Sequence, residues 1–125
     1  MKPISPGLHG IIDYLAALFL LLAPSLFNFT GTPALACTIL AVIIAGLTLM
    51  TRFSSGLVKI VPVHVHGGVD AVTAVVIAAL PWLLGFSDQG TARTFFLAVA
   101  ALVFLVWLLT DWRDQRSNAQ TANLR

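Results

Sequence analysis

The hydrophobic positions of the chain form four long runs that are separated by short polar segments. No charged residue occurs in 14–51, and this stretch is too long for one membrane span, because about 20 residues cross a bilayer. Turn-forming residues and a proline interrupt it at 28–33 (Asn-Phe-Thr-Gly-Thr-Pro). Two further uncharged runs, 71–87 and 94–110, flank a second polar turn. The pattern predicts four membrane-spanning helices at about 8–28, 33–51, 67–86 and 92–111.

The composition supports the same interpretation and excludes several classes of protein. Of 125 residues, 58% are hydrophobic and only 10% are charged, and the mean hydropathy is +0.94. A soluble domain has about 25% charged residues, so we expect a single membrane domain over 1–125 with the lipid bilayer as its main surroundings. One cysteine, Cys37, excludes a disulfide scaffold. Phosphate-binding glycine loops and Cys-x-x-Cys pairs are absent from the sequence, and we do not expect an enzyme.

The basic residues predict the orientation in the membrane. They are scattered rather than clustered, so the net charge of +2 does not indicate a nucleic-acid partner. Four spans place both ends of the chain and the central connection on one side. Because an excess of Lys and Arg in short loops marks the cytoplasmic side, we expect cytoplasmic N- and C-termini in the cytoplasmic (inner) membrane, with a polar cytoplasmic tail over 113–125. Of the seven basic residues, only Arg93 lies on the opposite side. The other six lie on the predicted cytoplasmic side: Lys2, Arg52, Lys59, Arg113, Arg116 and Arg125.

The chain contains an internal repeat. A shift of 57 positions aligns the His-Gly-x-x-Asp phrase at 9–13 with the same phrase at 66–70, and it aligns Pro24 with Pro81. After a two-residue insertion in the second turn, Thr51 aligns with Thr110. Repeat 1 covers about 2–53 and repeat 2 about 59–112. Each copy has two spans and enters the membrane from the same side, so we predict an all-α, four-transmembrane-helix bundle of two tandem (parallel) two-helix repeats.

These features resemble the SPW-repeat family of small bacterial integral membrane proteins. The resemblance covers 2–112 and is carried by the doubled His-Gly-x-x-Asp units and by the segments 23–27 (Ala-Pro-Ser-Leu-Phe) and 80–86 (Leu-Pro-Trp-Leu-Leu-Gly-Phe). The Ser-Pro-Trp motif is incomplete here, since only Pro81 is followed by a tryptophan, Trp82. The resemblance implies a membrane location and a duplicated fold, and it implies no particular activity.

Two repeated pairs of ionisable residues are the candidate site. His9 and Asp13, and likewise His66 and Asp70, are four residues apart and therefore share a helix face near the cytoplasmic interface. One hypothesis is a shared site between the repeats: a metal ion on His9 and His66, a haem, a quinone or a bound proton. The alternative is structural, with each Asp accepting a hydrogen bond from its own His or capping a neighbouring helix. The glycine after each histidine is expected to permit close helix approach.

Other repeated residues have weaker interpretations. Pro24 and Pro81 indicate either a bend before each turn or a kink that opens a pocket, and Trp82 belongs to the same motif. His64 forms a metal-binding pair with His66 only if that segment is extended after Pro62.

The sequence favours a structural or accessory membrane protein, or an oligomeric scaffold, without a defined cofactor. The alternatives are a binding protein for a metal, quinone or haem and, more weakly, a small transporter or channel. Four short helices bury little surface against one another. We therefore expect a homo-oligomer or a larger membrane complex.

Overall fold

A computed structural model describes residues 2–113 and contains four α-helices in that range. Helix α1 spans Pro6–Phe27, α2 spans Gly31–Leu49, α3 spans Val63–Leu83 and α4 spans Gly90–Leu109. The pairs α1/α2 and α3/α4 pack closely. Within 2–113 the extended backbone is limited to two isolated bridges. The predicted all-α bundle of two tandem helix pairs is therefore confirmed.

Each helix begins two to four residues before its predicted start, because the helical backbone extends beyond the apolar runs. At α1 the side chain of Ser5 accepts a hydrogen bond from the backbone N–H of Leu8, and Pro6 occupies the first turn. Helix α3 begins directly after Pro62. His64 and His66 therefore lie on a helix, and the extended His-x-His pair that we considered does not form.

Small residues allow the helices to approach closely around one core. The core contains buried residues from all four helices, and Ala23, Cys37 and Ala41 are among the least exposed. Side chains of this size suit helix contacts in lipid, where close packing rather than the hydrophobic effect holds helices together. The lone cysteine is thus a small buried packing residue.

The outward surface of the bundle is strongly apolar. Leu15, Leu26, Val42 and Val75 are all more than 60% exposed, which would be unfavourable in water. All four helices are long and apolar enough to cross a membrane. These properties are those of a small multi-pass integral membrane protein, with lipid around the bundle.

Backbone contacts tie the N-terminal segment to the end of α4. The backbone N–H of Ile4 donates to Leu109 O (3.1 Å), and the N–H of Asp111 donates to Ile4 O (2.9 Å). This end of the bundle also carries the α2–α3 connection, and we call it the cluster end. Beyond it, the guanidinium of Arg113 lowers the pKa of Asp111 to about 2. The rest of the predicted polar tail, 114–125, lies outside the described residues.

The repeated prolines lie at the opposite end of the bundle, near the C-terminal ends of α1 and α3. Pro24 is three residues from the end of α1, and its carbonyl accepts backbone hydrogen bonds from Asn28 and Phe29. Pro81 is two residues from the end of α3, and its carbonyl accepts from Phe86 (2.8 Å). Each proline thus lies close to the end of its helix, directly before a connection. Asn28 adopts a left-handed conformation (φ 57°) at the end of α1, a conformation that Asn tolerates well.

Candidate functional site

The four predicted ionisable residues meet in one buried cluster at the cluster end. His9 is the fourth residue of α1 and His66 is the fourth residue of α3, and each aspartate follows one turn later. Both histidines are 1% exposed. The side chains of Asp13 and Asp70 are 12% and 14% exposed. The packing of the two repeats thus brings the two His/Asp pairs together. We call these four residues the His/Asp cluster.

The shortest contacts in the His/Asp cluster run between the repeats. His9 Nε2 lies 2.9 Å from Asp70 Oδ2 and 3.2 Å from Asp13 Oδ1. His66 Nε2 lies 2.9 Å from Asp13 Oδ2 and 3.4 Å from Asp70 Oδ1. Each histidine is therefore closer to the carboxylate of the other repeat. The contact expected between each aspartate and its own histidine is present, but it is longer than the contact between the repeats.

The contacts of the two histidines differ in direction. His9 Nε2 is in hydrogen-bond geometry with Asp70. His66 Nε2 is buried and has no hydrogen-bond partner among the described residues, although Asp13 Oδ2 is only 2.9 Å away. The distance between the two atoms is that of a hydrogen bond, but the direction of the contact is not. Because a hydrogen bond weakens steeply when it is bent, this contact is an ion-pair contact and not a hydrogen bond.

Two threonines hold the histidine rings in orientation. His9 Nδ1 lies 2.9 Å from Thr110 Oγ1, and His66 Nδ1 lies 2.8 Å from Thr51 Oγ1. Each threonine hydroxyl donates its only proton to the carbonyl four residues earlier, at 2.6 Å in both cases. The hydroxyls must therefore accept from the rings, so each Nδ1 carries a proton. Each Nε2 is left facing the carboxylates.

The sequence pattern did not predict that these threonines orient the histidine rings. Their equivalent positions in the repeat alignment were the available signal, but a threonine at the end of an apolar run has no specific chemical meaning by itself. A third threonine, Thr48, lies 2.9 Å from Asp13 Oδ2. Because its counterpart in repeat 2 is Trp107, the cluster is only approximately symmetric.

Aromatic side chains cover the His/Asp cluster at the ends of α2 and α4. The Phe53 ring centroid lies 4.8 Å from that of His66, and the Trp112 centroid lies 4.5 Å from that of His9. A Cβ atom on Gly67 would lie 2.7 Å from the Trp112 ring. A Cβ atom on Gly10 would meet Ser55 Oγ first and would lie 3.2 Å from Phe53. The two repeated glycines therefore make room for these aromatic rings. We had expected them to permit close approach of another helix.

An apolar cavity of about 350 Å³ adjoins the His/Asp cluster. Three cluster residues line one part of it: His9, Asp13 and Asp70. Most of the remaining lining comes from apolar residues of α1 and α4, and these include the lipid-exposed Leu15 and Leu102. The cavity therefore reaches from the polar cluster to the outer surface of the bundle.

The remaining predicted residues lie away from this site. His64 is exposed on α3 and does not belong to the cluster. Pro24 and Pro81 lie at the other end of the bundle, about 16 Å along the helix from the aspartates at 1.5 Å per residue. Trp82 is 57% exposed there. The structure thus separates the repeated proline motif from the repeated His/Asp motif, and the cavity beside the cluster is not lined by either proline.

The charges of the His/Asp cluster must balance in these apolar surroundings. Two carboxylates face two Nε2 atoms, and two unprotonated nitrogens in these positions would repel the carboxylate lone pairs. Either one proton on each Nε2 or a single divalent cation supplies the two positive charges that are needed. The carboxylates occupy the space between the rings where a porphyrin bound to both histidines would lie. The geometry therefore favours a proton or a small ion over haem.

Comparison with known proteins adds no identity: no family model matches the chain, and neither a curated protein nor a solved structure matches it.

Proposed function

We propose that this protein is a structural or accessory component of the cytoplasmic membrane, in which the His/Asp cluster ties two helix-pair repeats into one unit. The observation that carries the proposal is the cross-repeat pairing of His9 with Asp70 and of His66 with Asp13, both at 2.9 Å.

The physical argument concerns what selects one arrangement of helices in lipid. Lipid chains are as apolar as leucine, so the hydrophobic effect does not drive helix association inside the bilayer. Close packing holds each helix pair together, and fewer close contacts join α2 to α3. A charge-balanced polar cluster between α1 and α3 specifies how the repeats meet, because any other arrangement leaves a buried charge without its partner.

A double-mutant cycle tests this role. His9→Ala, Asp70→Ala and the double variant are compared by unfolding in detergent with a chelator present. We expect a coupling free energy of about 1–3 kcal/mol. The control cycle pairs His64→Ala with Asp70→Ala, on the same helix but without contact between the residues, and its coupling should be close to zero. Equal coupling in the two cycles would contradict the proposal.

The orientation and assembly belong to the same proposal. The basic residues Lys2, Arg52 and Lys59 lie in the segments at the cluster end, which supports a cytoplasmic position for this end and for both termini. The apolar outer faces of the helices suit a homo-oligomer or a larger membrane complex, and the resemblance to the SPW-repeat family remains part of the proposal. Reporter fusions at each terminus, active on one side of the membrane only, test the orientation. Activity of either fusion on the non-cytoplasmic side would contradict it.

The apolar cavity supports a second candidate function, the binding of a lipid-soluble quinone or quinol. Its volume of about 350 Å³ is within the range of small-molecule sites. Two carboxylates at its polar end can accept hydrogen bonds from quinol hydroxyls, and its apolar walls suit an isoprenoid chain. Ala16→Phe places a ring in the cavity, whereas Leu18→Phe adds the same ring on the exposed face of α1. Mass spectrometry of co-purified lipids should show that only Ala16→Phe loses the quinone; equal amounts in both variants would count against this function.

A further inference from the structure

We propose that the His/Asp cluster binds one divalent transition-metal ion through Nε2 of His9 and His66 and one oxygen each of Asp13 and Asp70. The inference rests on the proposed role of the cluster as the link between the repeats, and it names what occupies that link.

The four ligand atoms are close enough together to surround one ion. One ligand atom from each residue lies within 4.8 Å of the others. The shortest nitrogen–oxygen contacts, which involve both oxygens of each carboxylate, are between 2.9 and 3.4 Å. Bonds of about 2.0 Å to zinc place neighbouring ligand atoms about 3.3 Å apart in a tetrahedron. Separations of up to 4.8 Å exceed this value, so binding of an ion draws the four side chains together.

The orientation of the histidines is a second, independent observation. Metal-bound histidines commonly donate their other ring N–H to an oxygen that fixes the ring. Thr110 and Thr51 accept this hydrogen bond from His9 and His66, and both hydroxyls are themselves fixed by backbone carbonyls. Both rings are thus held with Nε2 directed at the cluster.

The unsatisfied nitrogen of His66 is a third observation. His66 is 1% exposed, and its Nε2 makes no well-directed hydrogen bond in 2–113, although Asp13 Oδ2 lies 2.9 Å away. A buried polar atom without a partner is costly, and its presence in a folded protein calls for an explanation such as an ion. A metal ion between the carboxylates accepts the lone pair of this nitrogen and removes the cost.

The donor set indicates which ion is bound and what it does. Imidazole nitrogens suit zinc, iron, copper and nickel, whereas calcium and magnesium prefer sites made of oxygen atoms. Two carboxylates neutralise a divalent ion, which suits apolar surroundings. Zinc favours four ligands in a tetrahedron, and four protein ligands leave no open position for a substrate. We therefore assign a structural zinc site that fastens repeat 1 to repeat 2, covered by the rings of Phe53 and Trp112.

Metal binding to the purified full-length protein tests the inference. The protein is stripped with a chelator, exchanged into metal-free detergent buffer, titrated with zinc chloride, and analysed by native mass spectrometry and elemental analysis. We expect one zinc per chain, and X-ray absorption should show two imidazole nitrogens and two oxygens at about 2.0 Å. Magnesium chloride serves as the control and should not bind.

Matched variants separate this site from adventitious binding. Asp70→Asn is nearly isosteric and is chosen because it preserves the fold; it should weaken zinc binding at least tenfold, and His66→Ala should abolish it. His64→Ala removes an exposed histidine two residues away and should bind zinc as the wild type does. Zinc that is lost in His64→Ala and retained in His66→Ala, or zinc held without imidazole ligands, would overturn the inference.

The outcomes also distinguish this inference from the proposed function. If the stripped protein shows the cross-repeat coupling but binds no zinc, the metal inference fails and the link between the repeats stands. If zinc binds with the expected ligands but the cross-repeat coupling is absent without metal, the metal site stands and the metal-free link fails.

Discussion

Replacement of His66 by alanine is the most direct test of the charge balance in the cluster. The substitution removes a ring that is 1% exposed and that contacts Asp13 at 2.9 Å and Asp70 at 3.4 Å. One positive charge is lost, and two buried carboxylates then share His9 alone. Breaking a buried ion pair by removal of one partner costs about 3–5 kcal/mol.

The structure places the expected effect at the lower end of that range. His9 still contacts both carboxylates, at 2.9 and 3.2 Å, so the remaining charge is partly compensated and we expect a loss of about 3 kcal/mol. For a chain of this size, each kcal/mol corresponds to roughly 4 °C in Tm, so Tm should fall by roughly 12 °C. The assay is thermal unfolding in detergent with a chelator present, at one scan rate for all variants.

Two comparisons decide whether charge is the cause. His64→Ala removes an exposed histidine from the same helix and should change stability by less than about 0.5 kcal/mol. Adding Asp13→Asn to His66→Ala removes one carboxylate charge, and this double variant should be more stable than His66→Ala alone. A double variant that is less stable than the single one, or a Tm for His66→Ala equal to that of His64→Ala, would refute the reasoning.

Three further predictions concern the surroundings of the cluster. Gly67→Ala should destabilise by about 1–3 kcal/mol because its Cβ meets a tryptophan ring at 2.7 Å, whereas Gly68→Ala, with open space around its Cβ, should not; equal unfolding midpoints would contradict this. Thr51→Val removes the acceptor of a buried histidine N–H and should cost about 1–3 kcal/mol, measured by thermal unfolding; an unchanged midpoint would exclude the anchoring role. Asp111 should titrate at about pH 2 by NMR, and near its ordinary value once Arg113→Ala removes the guanidinium. Because its pKa is lowered on folding, its stabilising contribution is present above its ordinary pKa and is lost as the pH falls toward 2.

Much of the fold was predictable because the bilayer restricts the possible structures. In lipid every backbone polar group needs an internal partner, so long uncharged runs form helices. The turns at 28–33 and 87–90 divide them, and the equivalent positions of Pro24 and Pro81 show that both repeats have the same topology. The helix starts were less accurate, since Ser5, which caps α1, and Pro62, which precedes α3, lie outside the apolar pattern.

The sequence by itself determined that His9 and Asp13 share a helix face, and likewise their counterparts in repeat 2, because the spacing of an α-helix follows from local geometry. Only the tertiary structure decided that each histidine lies closer to the aspartate of the other repeat. It also decided that Thr51 and Thr110 orient the rings, over separations of 15 and 101 residues. Contacts of this kind depend on how the two helix pairs dock, and helical periodicity carries no information about docking.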